Sequence, residues 1–80
     1  IDTNFEEVLA DPELMSTADT FMKNSLNVSE TSRLMYMHRN TLMYRLDKIE
    51  KSTGLNIRHF NDAFAFRMLT LVHKLSAERK

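Results

Sequence analysis

Eighty residues, 42% of them apolar and with a formal net charge of zero, make one small domain that buries about 60 to 65% of its unfolded surface, too little for a large enclosed active site. The absence of Cys excludes disulfides and thiolate metal sites, His38, His59 and His73 lack zinc-site spacing, and no apolar run approaches the ~20 residues that span a bilayer. One Gly and one Pro leave few helix breaks, so the composition points to an all-α fold. Residues 1–24 carry six acids against one Lys, a formal −5, whereas residues 25–80 carry ten Lys and Arg against five acids, a formal +5. A basic C-terminal two-thirds suits a polyanion, although a merely solvated surface also segregates charge. The start at Ile1 rather than Met reads as a piece of a longer protein, and the absence of Cys fits a reducing, cytoplasmic setting.

In chain order, Asn4 with Glu7 three residues on forms a capping pattern for a short helix carrying Phe5, Val8 and Leu9. Asp11-Pro12-Glu13 is a sharper start: Asp as N-cap, Pro at the first helical position, Glu in the first turn. Leu14, Ala18, Phe21 and Met22 recur at helical spacing and carry this helix to about Asn24, with Ser25 to Asn27 as a connection. Ser29-Glu30-Thr31-Ser32 opens a helix that must be short, because a new start follows at His38-Arg39-Asn40; Met35-Tyr36-Met37 forms the tight turn between. From about Arg39, Leu42, Leu46, Ile49 and Thr53 follow i, i+4, i+7, i+11 for roughly four turns, and Gly54 ends the helix where a left-handed residue is needed. A last helix, capped by Asn61 or Asp62, points Phe64, Met68, Leu71 and Leu75 inward and Arg67 and Lys74 outward. The expected fold is an all-α, small helix-turn-helix bundle of four main helices plus a short N-terminal one, with no sheet.

A short helix, a three-residue turn and a longer amphipathic helix are the geometry in which one helix braces on DNA and the next enters the major groove. With Leu42, Leu46 and Ile49 inward, the opposite face carries Asn40, Met43, Tyr44, Asp47 and Lys51, with Arg39 at the N-terminal end and Thr41, Arg45 and Lys48 along one flank. Arg and Asn form bidentate bonds to guanine and adenine edges, Thr, Tyr, Arg and Lys reach phosphates, and the helix N-terminus favours an anion. Plain structural roles stand beside these: Asn40 as a cap, Tyr44 packed on a neighbour, Arg45 and Lys48 as solvated charge. Asp47 opposes DNA unless Lys51, one turn on, pairs with it.

The run from Asn27 to Leu46 (NVSETSRLMYMHRNTLMYRL), with Ile49-Glu50 and Thr53-Gly54-Leu55, resembles the C-terminal helix-turn-helix domain of PucR-type bacterial regulators, which include sugar-diacid (CdaR-like) and purine-catabolism activators. It is more distantly similar to the Fis-type helix-turn-helix. The family run His-Arg-Asn-Thr-Leu/Val-x-Tyr-Arg-Leu stands as His38 to Leu46, Asp11 to Phe21 echoes the family's first helix, and the resemblance covers about residues 5–75.

The resemblance implies double-stranded DNA binding at promoters as a homodimer, in the cytoplasm at the nucleoid, with Ser29 to Met35 as bracing helix and His38 to about Thr53 as recognition helix. Base reading falls to Arg39, Asn40, Met43 and Tyr44, and phosphate binding to Ser29, Thr31, His38, Thr41, Arg45 and Lys48. No cofactor, metal or membrane partner is expected, and the effector is expected to bind an N-terminal region outside this sequence. Two departures matter: Ser32 stands where the family usually has Ala, and Met43 where it often has Arg or Lys, so promoter preference should differ from relatives with a cation there. The alternative is a helical protein-interaction or dimerisation module. Catalysis, which would rest on His38 or His73 with nearby acids, ranks last.

Overall fold

The computed structural model describes residues 4–78, which form five helices: α1 (Phe5–Leu9), α2 (Pro12–Lys23), α3 (Val28–Leu34), α4 (Arg39–Thr53) and α5 (Phe60–Glu78). No strand occurs among the described residues. The order and number of helices are those expected from periodicity and capping, and the bounds agree to within a residue or two except at the start of α5.

Helix α4 is the hub, with α1, α2 and α3 all packed against it. Its inner stripe, Leu42, Leu46 and Ile49, is fully buried, with Thr53 continuing the line. These side chains meet Val8, Leu14, Ala18 and Phe21 from α1 and α2, Ile57 from the loop, and Ala63 and Phe66 from α5 in one core. Removing each large side chain from water contributes roughly 1.5 to 3 kcal/mol, the main term holding so short a chain together.

Local chemistry sets most helix ends. The Asp11 carboxylate accepts from the backbone N–H groups of Glu13 (3.0 Å) and Leu14 (3.2 Å), and Pro12 occupies the first helical position. Gly54 adopts φ 80°, and its N–H donates to the Glu50 carbonyl at 2.7 Å, closing α4 in the left-handed conformation that suits a residue without Cβ.

At α1 the expected cap is absent: no side-chain hydrogen bond forms from Asn4. Its backbone is not extended (φ −101°, ψ 48°), so the amide side chain does not reach the free N–H groups, and the Asn4 N–H instead donates to the Ser52 carbonyl at 2.6 Å, pinning α1 to the end of α4. The start of α3 also shifts. Asn27 is its N-cap, accepting from the Glu30 N–H at 2.8 Å, and the helix begins at Val28.

Ser25 and Leu26 before α3 are both left-handed (φ 57° and 61°). For residues with a Cβ that conformation costs roughly 1 to 2 kcal/mol each. Leu26 offsets part of it by donating its N–H to the Phe21 carbonyl at 2.9 Å and packing on the core.

Helix α5 departs most from expectation. It begins at Phe60, so neither Asn61 nor Asp62 caps it; Asp62 accepts from the Asn56 N–H at 2.9 Å and closes the preceding loop. The expected inward set, Phe64, Met68, Leu71 and Leu75, is exposed, and Ala63 and Phe66 are buried in its place. Phe66 meets the Phe5 ring edge-on with centroids 5.9 Å apart, and His73 lies 5.0 Å from Phe5. Arg67 joins Asp19 of α2 at 3.3 Å. The Asp19 carboxyl is held below its ordinary range by its hydrogen bond to Lys23, with Arg67 adding to the effect. The apolar stripe of α5 thus faces away from the core, because a second, less apolar set, Ala63 and Phe66, fits against the other helices, Phe66 against Phe5.

Candidate nucleic-acid interface

Helices α3 and α4 are joined by a tight turn in which Tyr36 takes φ 53°, the Tyr36 N–H donates to the Arg33 carbonyl (3.2 Å) and the Met37 N–H to the Ser32 carbonyl (3.0 Å). Buried Thr31 and Ser32 make the α3 face small enough for close approach. The Ser32 hydroxyl donates back to the Val28 carbonyl at 2.9 Å, so Ser32 leaves no buried donor unpaired at this contact.

His38 caps α4: its Nδ1 accepts from the Asn40 N–H at 3.0 Å. With Nδ1 engaged in the cap, Nε2 is the ring nitrogen left to meet an outside group. Asn40 therefore contributes only its backbone N–H to the cap. Its side chain is exposed on the outer face of α4, as are those of Asp47, Lys51 and Tyr44, which is 64% exposed; Thr41 and Lys48 are exposed on the flank and Arg39 at the N-terminal end.

Three residues expected at this surface are placed elsewhere. Thr31 is fully buried and its hydroxyl donates to the Asn27 carbonyl at 2.7 Å, so its side chain does not reach a phosphate. Arg45 turns toward α2, donating to Thr17 Oγ1 at 3.1 Å with Glu13 3.7 Å away, because its position on the helix wheel faces α2. Met43 is half-buried and packs at the edge of the core. An Arg at position 43 would thus lose packing as well as add a charge. Ser29 remains exposed at the start of α3.

The objection raised by Asp47 is met from outside the helix. Lys51 is not its partner: the Arg58 guanidinium, from the loop after α4, donates to Asp47 Oδ1 at 2.7 Å and reaches Glu50 Oε1 at 3.5 Å. One cation held at 21% side-chain exposure thus compensates both acids of α4. Its second terminal nitrogen, Nη1, is buried without a hydrogen-bond partner. On α3, Arg33 pairs with Glu30 and holds its carboxyl below the ordinary range, so that acid too is matched. Arg58 escaped sequence reasoning because its partners lie eleven and eight residues back across a loop, where no helical spacing rule applies.

The same region carries the comparison with known proteins. The family model for the PucR C-terminal helix-turn-helix domain matches residues 14–72, which runs from within α2 to within α5. The chain is 29% identical over 70 residues to the purine catabolism regulatory protein of Bacillus subtilis (strain 168), covering 88% of this chain and 13% of that protein. It is 33% identical over 66 residues to the carbohydrate diacid regulator of Escherichia coli (strain K12), covering 82% and 16%, and 41% identical over 56 residues to the B. subtilis protein YsfB, covering 70% and 15%. The chain therefore spans only a small part of the length of these curated relatives. No solved structure matches it. With the family model covering most of the chain and the matching fold in place, this protein belongs to the PucR C-terminal helix-turn-helix domain family.

Proposed function

We propose that this domain binds double-stranded DNA sequence-specifically as the output module of a PucR-type transcription regulator, with α4 in the major groove and α3 bracing it. The observation that carries the reading is the outer face of α4. Asn40, Tyr44 and Lys51 are exposed there, with Thr41 and Lys48 exposed along its flank and Arg39 exposed at the N-terminal end, and Arg58 compensates the acids beside them. Arg39, Asn40 and Tyr44 read base edges, with Met43 at the margin; Ser29, His38, Thr41 and Lys48 hold phosphates, and Lys51 joins them. The regulator acts as a homodimer at the nucleoid, and its effector binds outside this domain.

Titration of a random duplex at low and moderate salt tests the reading. Binding should weaken steeply with salt, and Lys48→Ala should weaken all sequences about equally and lower the salt slope by about one. Absence of duplex binding at low salt would overturn it.

Arg58 supplies a separate check. Arg58→Ala leaves Asp47 and Glu50 uncompensated beside the DNA and should weaken binding by on the order of 1 kcal/mol at low salt, less at high salt, since both acids are partly exposed and screened. Asp47→Asn in the same background should recover part of the loss. Equal affinities for wild type and Arg58→Ala would mean that the acids of α4 do not face DNA.

A further inference from the structure

We infer that the exposed apolar stripe of α5 is the surface through which two copies of this chain associate. The inference deepens the homodimer of the DNA-binding reading and rests on that reading only for its use at an operator.

Phe60 is 72% and Phe64 59% exposed, with Met68, Leu71, Val72 and Leu75 following at 43 to 54%. At 100° per residue, Phe60, Leu71, Phe64, Leu75 and Met68 fall within an arc of roughly 80°, on a side of α5 away from Ala63 and Phe66, which hold the helix to the core. With side chains of roughly 150 to 250 Å² for the aromatics, the stripe leaves on the order of 500 Å² of apolar area in water, near the upper end of what a monomer shows.

The register says what covers it. Phe64, Met68, Leu71 and Leu75 are spaced 4, 3 and 4, the alternation of a seam that packs against another helix. The same face also carries a receptor. Phe60 and Phe64 stack at 6.4 Å beside a groove of about 400 Å³ whose other wall is Met22 and Leu26. A two-fold contact needs knob and hole on one surface, since each copy must offer what the other receives. Here the two aromatic knobs stand next to the groove.

Charge permits the pairing. Beside the stripe Arg67 is matched by Asp19, and Lys74 is followed four residues on by Glu78, of opposite sign. Two such faces therefore meet without a large like-charge penalty. Together with the groove walls and the aliphatic stems of Arg67 and Lys74, the stripe approaches the ~800 Å² per partner of an ordinary specific interface.

Analytical ultracentrifugation of the chain without DNA, from about 10 µM to about 1 mM, provides the test. The wild-type mass should rise from 9.4 kDa toward twice that value. Phe64→Glu and Leu75→Glu, at opposite ends of the stripe and both exposed, should each weaken association at least tenfold with helical circular dichroism retained. As a readout independent of any variant, dilution of the wild type should shift amide resonances of α5 and of Met22 and Leu26 while the outer face of α4 stays still. A monomer at every concentration, a dimer indifferent to both substitutions, or dilution shifts confined to other helices would each overturn the inference. Failure of duplex binding would leave these mass measurements untouched, so the two readings fail separately.

Discussion

Leu46→Ala is expected to destabilise the domain by roughly 2 to 5 kcal/mol. Leu46 is fully buried on α4, the helix on which α1, α2 and α3 all pack, so truncation leaves a cavity whose walls belong to several helices and cannot close by moving one. A domain of 80 residues has about 4 to 12 kcal/mol in total. The loss should lower the thermal midpoint by roughly 10 to 30 °C, to the point where part of the population unfolds near physiological temperature. Leu75→Ala on α5 is the matched control, measured at low protein concentration: the same truncation at a half-exposed site should stay within about 0.5 kcal/mol. Equal effects at the two positions in thermal or urea unfolding would contradict the orientation of α5.

Replacing Arg39 or Asn40 with Ala is expected to cost about 1 to 3 kcal/mol of discrimination at one operator position, a larger effect than on non-specific affinity. Both side chains are exposed at the N-terminal end of α4, the part of a recognition helix that helix-turn-helix domains bring to base edges. His38 carries the capping role, which frees the Asn40 amide, so Asn40→Ala should leave stability nearly unchanged and act on sequence preference alone. Selection from a randomised duplex pool with wild type, Arg39→Ala and Asn40→Ala provides the measurement. Identical selected motifs for all three would mean that this end of α4 does not read bases. Met43→Arg is expected to gain less than a fully exposed cation would, since Met43 packs at the core edge.

The division between what was legible in the chain and what was not follows the range of the forces involved. Asp11-Pro12 and Gly54 announce helix ends because capping and the left-handed conformation are decided within four residues, and both act as read. The inner stripe of α4 was legible for a related reason: Leu42, Leu46 and Ile49 form its sole apolar line of that length, so burial had one choice. Local pattern also located the short helix, the turn at Tyr36 and the exposed cations of α4.

Only the tertiary structure decided which of two faces α5 would bury. Periodicity measures how apolar a stripe is, whereas burial depends on which stripe meets a complementary surface, and here Phe5 receives Phe66 and His73 while the more apolar line stays outside. Arg45 and Arg58 show the same limit for charge. Each could have been a free cation by sequence, but Arg45 reaches Thr17, 28 residues away, and Arg58 folds back on Asp47. A guanidinium takes whichever acceptors the packing of the helices brings within about 3 Å, and that arrangement is a property of the assembled bundle.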